Sequence, residues 1–166
     1  MARMFRRRIS RTRRGTYAVR LPAPERELLA NLVDQLRELL ELTTDDPSVR
    51  RLFPTAYHDD AERDREYQQL VRDELLGRRL TALATVEATA EADELDEAQL
   101  AGWLTALNDL RLVLGTRLDV SEEQDAIEDD HPDAPAMAVY GYLSVLLTDV
   151  VDALAEDLPP PTEPER

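Results

Sequence analysis

The stretch Leu100-Ala101-Gly102-Trp103-Leu104-Thr105-Ala106-Leu107-Asn108-Asp109-Leu110-Arg111-Leu112-Val113-Leu114-Gly115 decides the fold class. Leu100, Trp103, Leu104, Leu107, Leu110 and Leu114 recur at steps of three and four, so one face of a helix is apolar along its length. Gly115 stands where a helix C-cap is expected. The same spacing runs on both sides. Leu28, Leu29, Leu32, Val33, Leu36, Leu39 and Leu40 predict a helix that starts near Pro24 and ends near Thr43–Asp46. Tyr67, Leu70, Val71, Leu75, Leu76, Leu80 and Leu83 predict the buried side of a helix over 61–90, with Gly77 marking a close helix contact or a kink. The most apolar helix is expected over 135–157, where Val139, Tyr140, Leu143, Val145, Leu146, Leu147, Val150, Val151 and Leu154 form a stripe wide enough for a central helix or a homodimer contact.

Between these lie shorter elements. Asp46-Pro47 suits the N-cap and first position of a helical turn over Ser48–Phe53, stopped by Pro54. Asp59 or Asp60 then caps the next helix. Glu91–Glu97 reads as an acidic linker and residues 119–135 as an acidic loop. Residues 4–21 read as a β-hairpin, with Phe5 and Ile9 on one side, Tyr17, Val19 and Leu21 alternating, and Arg13-Arg14-Gly15 at the turn; the alternative is a basic arm followed by one strand. The expected architecture is a mainly α bundle of about five helices with an N-terminal hairpin, a single domain over 1–158, and a disordered Pro-rich tail over 159–166.

The chain has 166 residues and a net charge of −15. All 20 basic residues are arginine. Residues 1–20 hold eight of them and no acid, a local +8, while the other 12 face all 35 acids, a local −23. So acidic a body repels nucleic acid from most of its surface. With no cysteine, a disulfide scaffold, a Cys nucleophile and a thiol switch are excluded within this sequence. The longest uncharged run, Ala134–Thr148, has 15 residues, short of the roughly 20 a membrane span requires. A cytoplasmic protein with no membrane association is expected.

Chemistry-bearing motifs are sparse. His58-Asp59-Asp60 and Asp129-Asp130-His131 lack the spacing of a metal site and are better read as caps and acidic loops. Ser10, Ser48, Ser121 and Ser144 have no nucleophile elbow around them, and the five glycines do not cluster into a phosphate loop. No catalytic residue, metal or cofactor is assigned, and no enzyme is expected. Arg6, Arg7, Arg8, Arg11, Arg13 and Arg14 are the candidate partner contacts. They are expected to meet the chain's own acidic body, an acidic protein partner or nucleic acid. A salt-bridge network is expected to join Asp59 or Asp60, Asp109, Arg51 and Arg111 and to dock the 46–60 loop on the Trp103 helix; a functional pocket at the same place is the sharper alternative.

Asp46-Pro47-Ser48-Val49-Arg50-Arg51-Leu52-Phe53-Pro54-Thr55-Ala56-Tyr57, then Asp59-Asp60, then Trp103 to Leu118 together resemble the actinobacterial domain of unknown function 2017. The resemblance covers nearly the whole chain. It implies a helical fold without established catalytic residues. Its genes commonly lie beside that of the adaptor that delivers substrates to the Clp protease, which implies a regulatory or proteolysis-linked role. The motif residues Arg50, Arg51, Tyr57, Asp59, Asp60, Asn108, Asp109, Arg111 and Arg117 match the family pattern here and make a candidate polar network. The expected function is a non-enzymatic regulatory or adaptor protein acting through protein contacts; the alternative is a nucleic-acid-associated regulator using the Arg-rich hairpin.

Overall fold

The computed structural model describes residues 6–42, 46–119 and 130–156. Phe5, Asp129 and the Pro-rich 159–166 segment lie outside them. Among the described residues the order is β1 (Ile9–Arg11), β2 (Tyr17–Val19), α1 (Ala23–Leu42), a 3₁₀ helix (Pro47–Leu52), α2 (Ala61–Thr89), β3 (Glu94–Leu95), α3 (Glu97–Arg117) and α4 (Ala134–Ala155). The mainly helical bundle with an N-terminal hairpin is present.

The stretch quoted first is the axis of that bundle: α3 packs against α1, α2, α4 and the 3₁₀ helix. Leu100, Trp103, Ala106, Leu107, Leu110 and Val113 are buried. The Trp103 indole N–H donates to Thr89 Oγ1 at 2.8 Å, so the largest core side chain also fixes the end of α2. A capping box starts α3: Gln99 N–H donates to Asp96 Oδ1 at 2.8 Å, and Asp96 N–H donates to Gln99 Oε1 at 2.9 Å. Gly115 does not end the helix. It is buried within it, where an added Cβ would lie 3.1 Å from Tyr140 Cε2, so its missing side chain lets α4 approach. The left-handed residue just past the helix is Asp119, φ 51°.

β1 and β2 pair antiparallel, Ile9 opposite Val19, around a turn at Gly15 (φ 83°). Ile9, Tyr17, Val19 and Leu21 are buried, as the alternation predicts. A third strand was not legible: the acidic linker contributes Glu94–Leu95, which pairs with Tyr17 and Ala18. Two residues carry no periodicity; Leu95 alone is drawn into the core.

Arg26, in the first turn of α1, is 7% exposed. Its guanidinium donates to the carbonyls of Leu21, Ala90 and Ala92, each at 2.8 Å, and to Asp93 Oδ1 at 2.9 Å. One side chain thus ties hairpin exit, α1 and the α2–β3 connection together, giving buried carbonyls the donors they need.

Two expectations fail on α2. Its apolar stripe is buried only near the end, at Ala82, Leu83 and Val86, while Leu70 is 82% exposed and Tyr67 is 37% exposed. The first half of α2 meets the 53–60 loop: Gln68 Nε2 donates to the Pro54 carbonyl at 3.0 Å, and Tyr57 and Tyr67 pack edge to face at 6.0 Å. Gly77 marks no close contact, since an added Cβ there would meet nothing within 4 Å, and the helix runs on through it to Thr89.

By length and composition alone, α4 is long and apolar enough to cross a membrane, with 22 residues at a mean hydropathy of 1.4. It is nevertheless packed against α3 and β1 through a buried face of Leu143, Leu146, Leu147, Val150 and Ala153.

The open space at Gly77 gives a direct prediction. Gly77→Ala removes a helix-interior glycine without a steric cost and should stabilise the protein by about 0.5–1 kcal/mol. The thermal midpoint should then rise by about 1–4 °C. A fall in the midpoint would show that α2 is not a continuous, exposed helix at this position.

Candidate functional site

Among the described residues the Arg-rich segment begins at Arg6, and much of it faces the chain's own acids. Arg8 Nε and Nη2 donate to the two Glu25 oxygens at 2.8 and 3.0 Å, and the Arg8 backbone N–H donates to Asp149 Oδ2 at 2.9 Å. The Tyr142 hydroxyl donates to Glu25 at 2.8 Å beneath the Arg8 guanidinium. Arg7 lies 3.3 Å from Asp152 and 3.5 Å from Glu156; Arg14 lies 3.1 Å from Glu94. The hairpin is therefore latched to α1, α4 and β3, and Arg7, Arg8 and Arg14 are engaged within the chain. Arg6, Arg11 and Arg13 present exposed side chains.

The electrostatics follow. Glu25 is held below its ordinary carboxylate value, first by its hydrogen bond to Arg8, with burial opposing and Tyr142 assisting. Arg8 is raised in turn, mainly by the same bond. Burial, then the bond to Glu25, pushes the Tyr142 phenol up.

The motif residues divide differently from the expected network. Asp109 is 1% exposed on α3, and its Oδ1 is paired with Arg79 of α2, a residue outside the quoted motifs. Arg79 also donates to the Leu52 carbonyl, from Nη2 at 2.9 Å and Nε at 3.2 Å. Arg79 thus joins α2, the 3₁₀ helix and α3. Asp60 instead caps α2, accepting from Arg63 N–H at 3.0 Å. Arg111 lies 5.8 Å from the Tyr140 ring centroid. Arg50, Arg51, Asp59, Asn108 and Arg117 are exposed, and Tyr57 is half-buried under Arg63. The 3₁₀ helix docks on α3 as expected, but the following loop docks on α2, where Asp64 accepts from the Ala56 and Tyr57 N–H groups at 2.7 and 3.2 Å. An arginine at 79 has no sequence mark of its role, because its partners are 27 and 30 residues away.

Asp109 and Arg79 line a cleft of about 410 Å³ between α2, α3 and α4. Leu104, Leu147 and Val151 form its apolar walls; Thr105 and Asn108 supply polar edges. Asp109 Oδ2 is buried with no hydrogen-bond partner among the described residues. Burial pushes the Asp109 carboxyl up, against the pull of Arg79. A second, apolar depression of about 320 Å³ separates α1 from α3 and α4, lined by Leu32, Leu39, Leu110, Val113 and Leu143, with Arg117 also on its wall.

Among the described residues no three His, Asp or Glu side chains gather as a metal site would require. His131 Nδ1 accepts from the Asp133 N–H at 3.1 Å, and His58 is exposed in its loop.

The sequence profile of a domain of unknown function, DUF2017, matches residues 2–154. The chain belongs to the DUF2017 family. Among its relatives, oxidative stress regulator AosR of Mycobacterium tuberculosis and of Mycobacterium bovis are each 29% identical over 137 residues, covering 68% of this chain and 63% of theirs. The putative oxidative stress regulator AosR of Mycobacterium leprae is 30% identical over 128 residues, covering 66% of this chain and 59% of its own. The chain therefore spans less than two thirds of the curated relatives it matches. No solved structure matches it significantly.

The Arg8–Glu25 latch predicts a pH dependence. A carboxylate whose folded value is depressed stabilises fully above its unfolded value and loses that contribution as pH falls through the folded value. At neutral pH, Glu25→Gln should cost about 1 kcal/mol, allowing for partial exposure. The difference from the parent should shrink steadily as pH falls below about 4.3. Urea denaturation of both proteins between pH 7 and 3 reads this directly. A difference that stayed constant across the range would show that Glu25 is not ionically engaged.

Proposed function

We propose that this DUF2017 chain is a non-enzymatic regulatory protein that acts through contacts with another protein in the cytoplasm. The observation that carries this reading is the face around the α3–α4 cleft. Leu104 and Asn108 on α3, and Leu147 and Val151 on α4, are each one helical turn apart, and Val151 is 47% exposed. Apolar side chains set beside polar ones on an acidic helical body suit a protein contact more than they suit a reaction centre. The relatives named as oxidative stress regulators support a regulatory role. If oxidative stress is its setting, the 166-residue sequence offers no thiol, so the signal reaches it through a partner or a ligand. A link to Clp-dependent proteolysis follows from the family association.

Nucleic acid is disfavoured by the engagement of Arg7, Arg8 and Arg14 with the chain's own acids. That alternative requires duplex binding that falls steeply with salt and is lost when Arg6, Arg7 and Arg8 become Ala.

A tagged chain used as bait in a lysate of its source organism should retain one defined protein at near-equal stoichiometry over a range of salt concentrations. Size-exclusion chromatography of the purified chain separates this from a homodimer through α4. Recovery of the chain alone under every condition, or salt-sensitive duplex binding in its place, would contradict the proposal.

A further inference from the structure

α4 is apolar on both its sides, yet only one of them is covered. Leu143, Leu146, Leu147, Val150 and Ala153 are buried. Seven residues of the helix are exposed: Pro135, Ala138, Gly141, Val145, Thr148, Val151 and Ala155. None of these carries a charge. The two acids of the helix are drawn to the hairpin, Asp149 by the Arg8 N–H at 2.9 Å and Asp152 by Arg7 at 3.3 Å. A helix that is apolar all round is normally enclosed all round.

We propose that a second copy of this chain covers the exposed face, with the two α4 helices packed antiparallel and Val145 of each copy seated on Gly141 of the other.

Spacing, size and charge select this occupant. Ala138, Gly141, Val145 and Thr148 follow at steps of 3, 4 and 3, the spacing of a coiled-coil seam. The series is the same read in either direction. An antiparallel pair therefore brings Val145 opposite Gly141 and Thr148 opposite Ala138, a branched side chain against a small one in each layer. A parallel pair would crowd Val145 on Val145 and leave a gap where Gly141 meets Gly141. An added Cβ on Gly141 would meet nothing within 4 Å of its own chain, so the space is open to the second copy. Drying the seam strands no hydroxyl, because Thr148 already donates to the Ser144 carbonyl at 2.9 Å.

The ends agree. Asp152, with Arg7 upon it, comes opposite the start of the other α4, where the N-cap Asp133 makes no side-chain cap bond and can accept from Arg7. Antiparallel order also sets opposite ends of the helix dipoles together. Parallel order would gather Asp149, Asp152 and Glu156 of both copies. With −15 on each chain, a shared face must be free of charge, and this one is. A bilayer is a poorer cover, because the leucines Leu143, Leu146 and Leu147 are buried and mostly small residues face outward. The 22 residues of α4 make about 33 Å of helix roughly 10 Å wide, well short of about 800 Å² per partner, so the dimer is weak and exchanges with the monomer. The contact stands apart from the regulatory reading, which concerns a different protein.

Sedimentation equilibrium of the whole chain, from micromolar to millimolar concentration, tests it. The weight-average mass should rise from 18.9 kDa toward twice that value. Val145→Glu, at a position 52% exposed, should leave the helical circular dichroism unchanged and weaken association at least about tenfold, since a carboxylate would enter an apolar seam. Gly141→Val should weaken it as well by overfilling the seam, and Gly141→Val with Val145→Gly, which exchanges knob and gap between the copies, should restore it. The chain has no cysteine, so direction is read by mixing Ala138→Cys with Thr148→Cys under mild oxidation. The mixed disulfide should form in preference to either homodisulfide. A mass of 18.9 kDa at every concentration, a Val145→Glu chain that associates as strongly as the parent, or homodisulfides in preference to the mixed one overturns the proposal. So does binding to phosphatidylcholine vesicles in place of self-association, which would give the face to a membrane.

Discussion

An ionised side chain placed inside a helical core must be met by a donor at fixed geometry, and here Asp109 imposes that constraint. It lies on α3 and is 1% exposed. Arg79 answers it from α2, and the same guanidinium takes the Leu52 carbonyl at the end of the 3₁₀ helix. Three elements are thereby held in one relative position. Hydrophobic burial along α3 gives them a reason to associate, but apolar contact is not directional and tolerates sliding. The ion pair does not tolerate it, because any slip of α2 leaves a buried carboxylate without its donor.

Arg26 works in the same manner at the other end of the molecule. It collects carbonyls from the hairpin exit and from the α2–β3 connection, and so fixes the small sheet on α1. Arg8 completes the attachment through Glu25 and Asp149. Arginine suits these tasks: it stays charged when buried, and its planar set of donors serves several acceptors at once. In a chain whose basic residues are all arginine, three of them hold the fold together, and the split between a basic hairpin and an acidic body becomes the means by which the two are joined.

Most helices were legible because their partners lie on the same stripe: the spacing of Leu28 to Leu40 and of Leu100 to Leu114 is a local signal of a buried face. The hairpin was legible from the alternation of Tyr17, Val19 and Leu21. What was not legible is long-range and polar. Arg26 looks like an ordinary surface residue in a first helical turn, since backbone carbonyls some 64 and 66 residues away leave no mark beside it. Arg79 is hidden for the same reason. Asp109 was singled out, but the motif supplied the wrong donors, Arg51 and Arg111, because sequence proximity to a motif says nothing about which helix faces it. The stripe on α2 misled in the opposite direction: periodicity shows that a face is apolar, yet Leu70 is exposed, Leu75, Leu76 and Leu80 are only partly covered, and full burial comes at Leu83 and Val86. Gly115 was read as a terminator when its real service is to admit Tyr140.

The central claim is that Arg79 and Asp109 act as one unit, and a double-mutant cycle with Arg79→Met, Asp109→Leu and the pair, followed by urea denaturation, tests it most directly. Arg79→Met alone should cost about 3–5 kcal/mol, because it strands a buried carboxylate. The double substitution should recover much of that loss, giving a coupling above about 2 kcal/mol. Effects that add to within about 0.5 kcal/mol would contradict the account and return the packing of α2 on α3 to apolar contact alone.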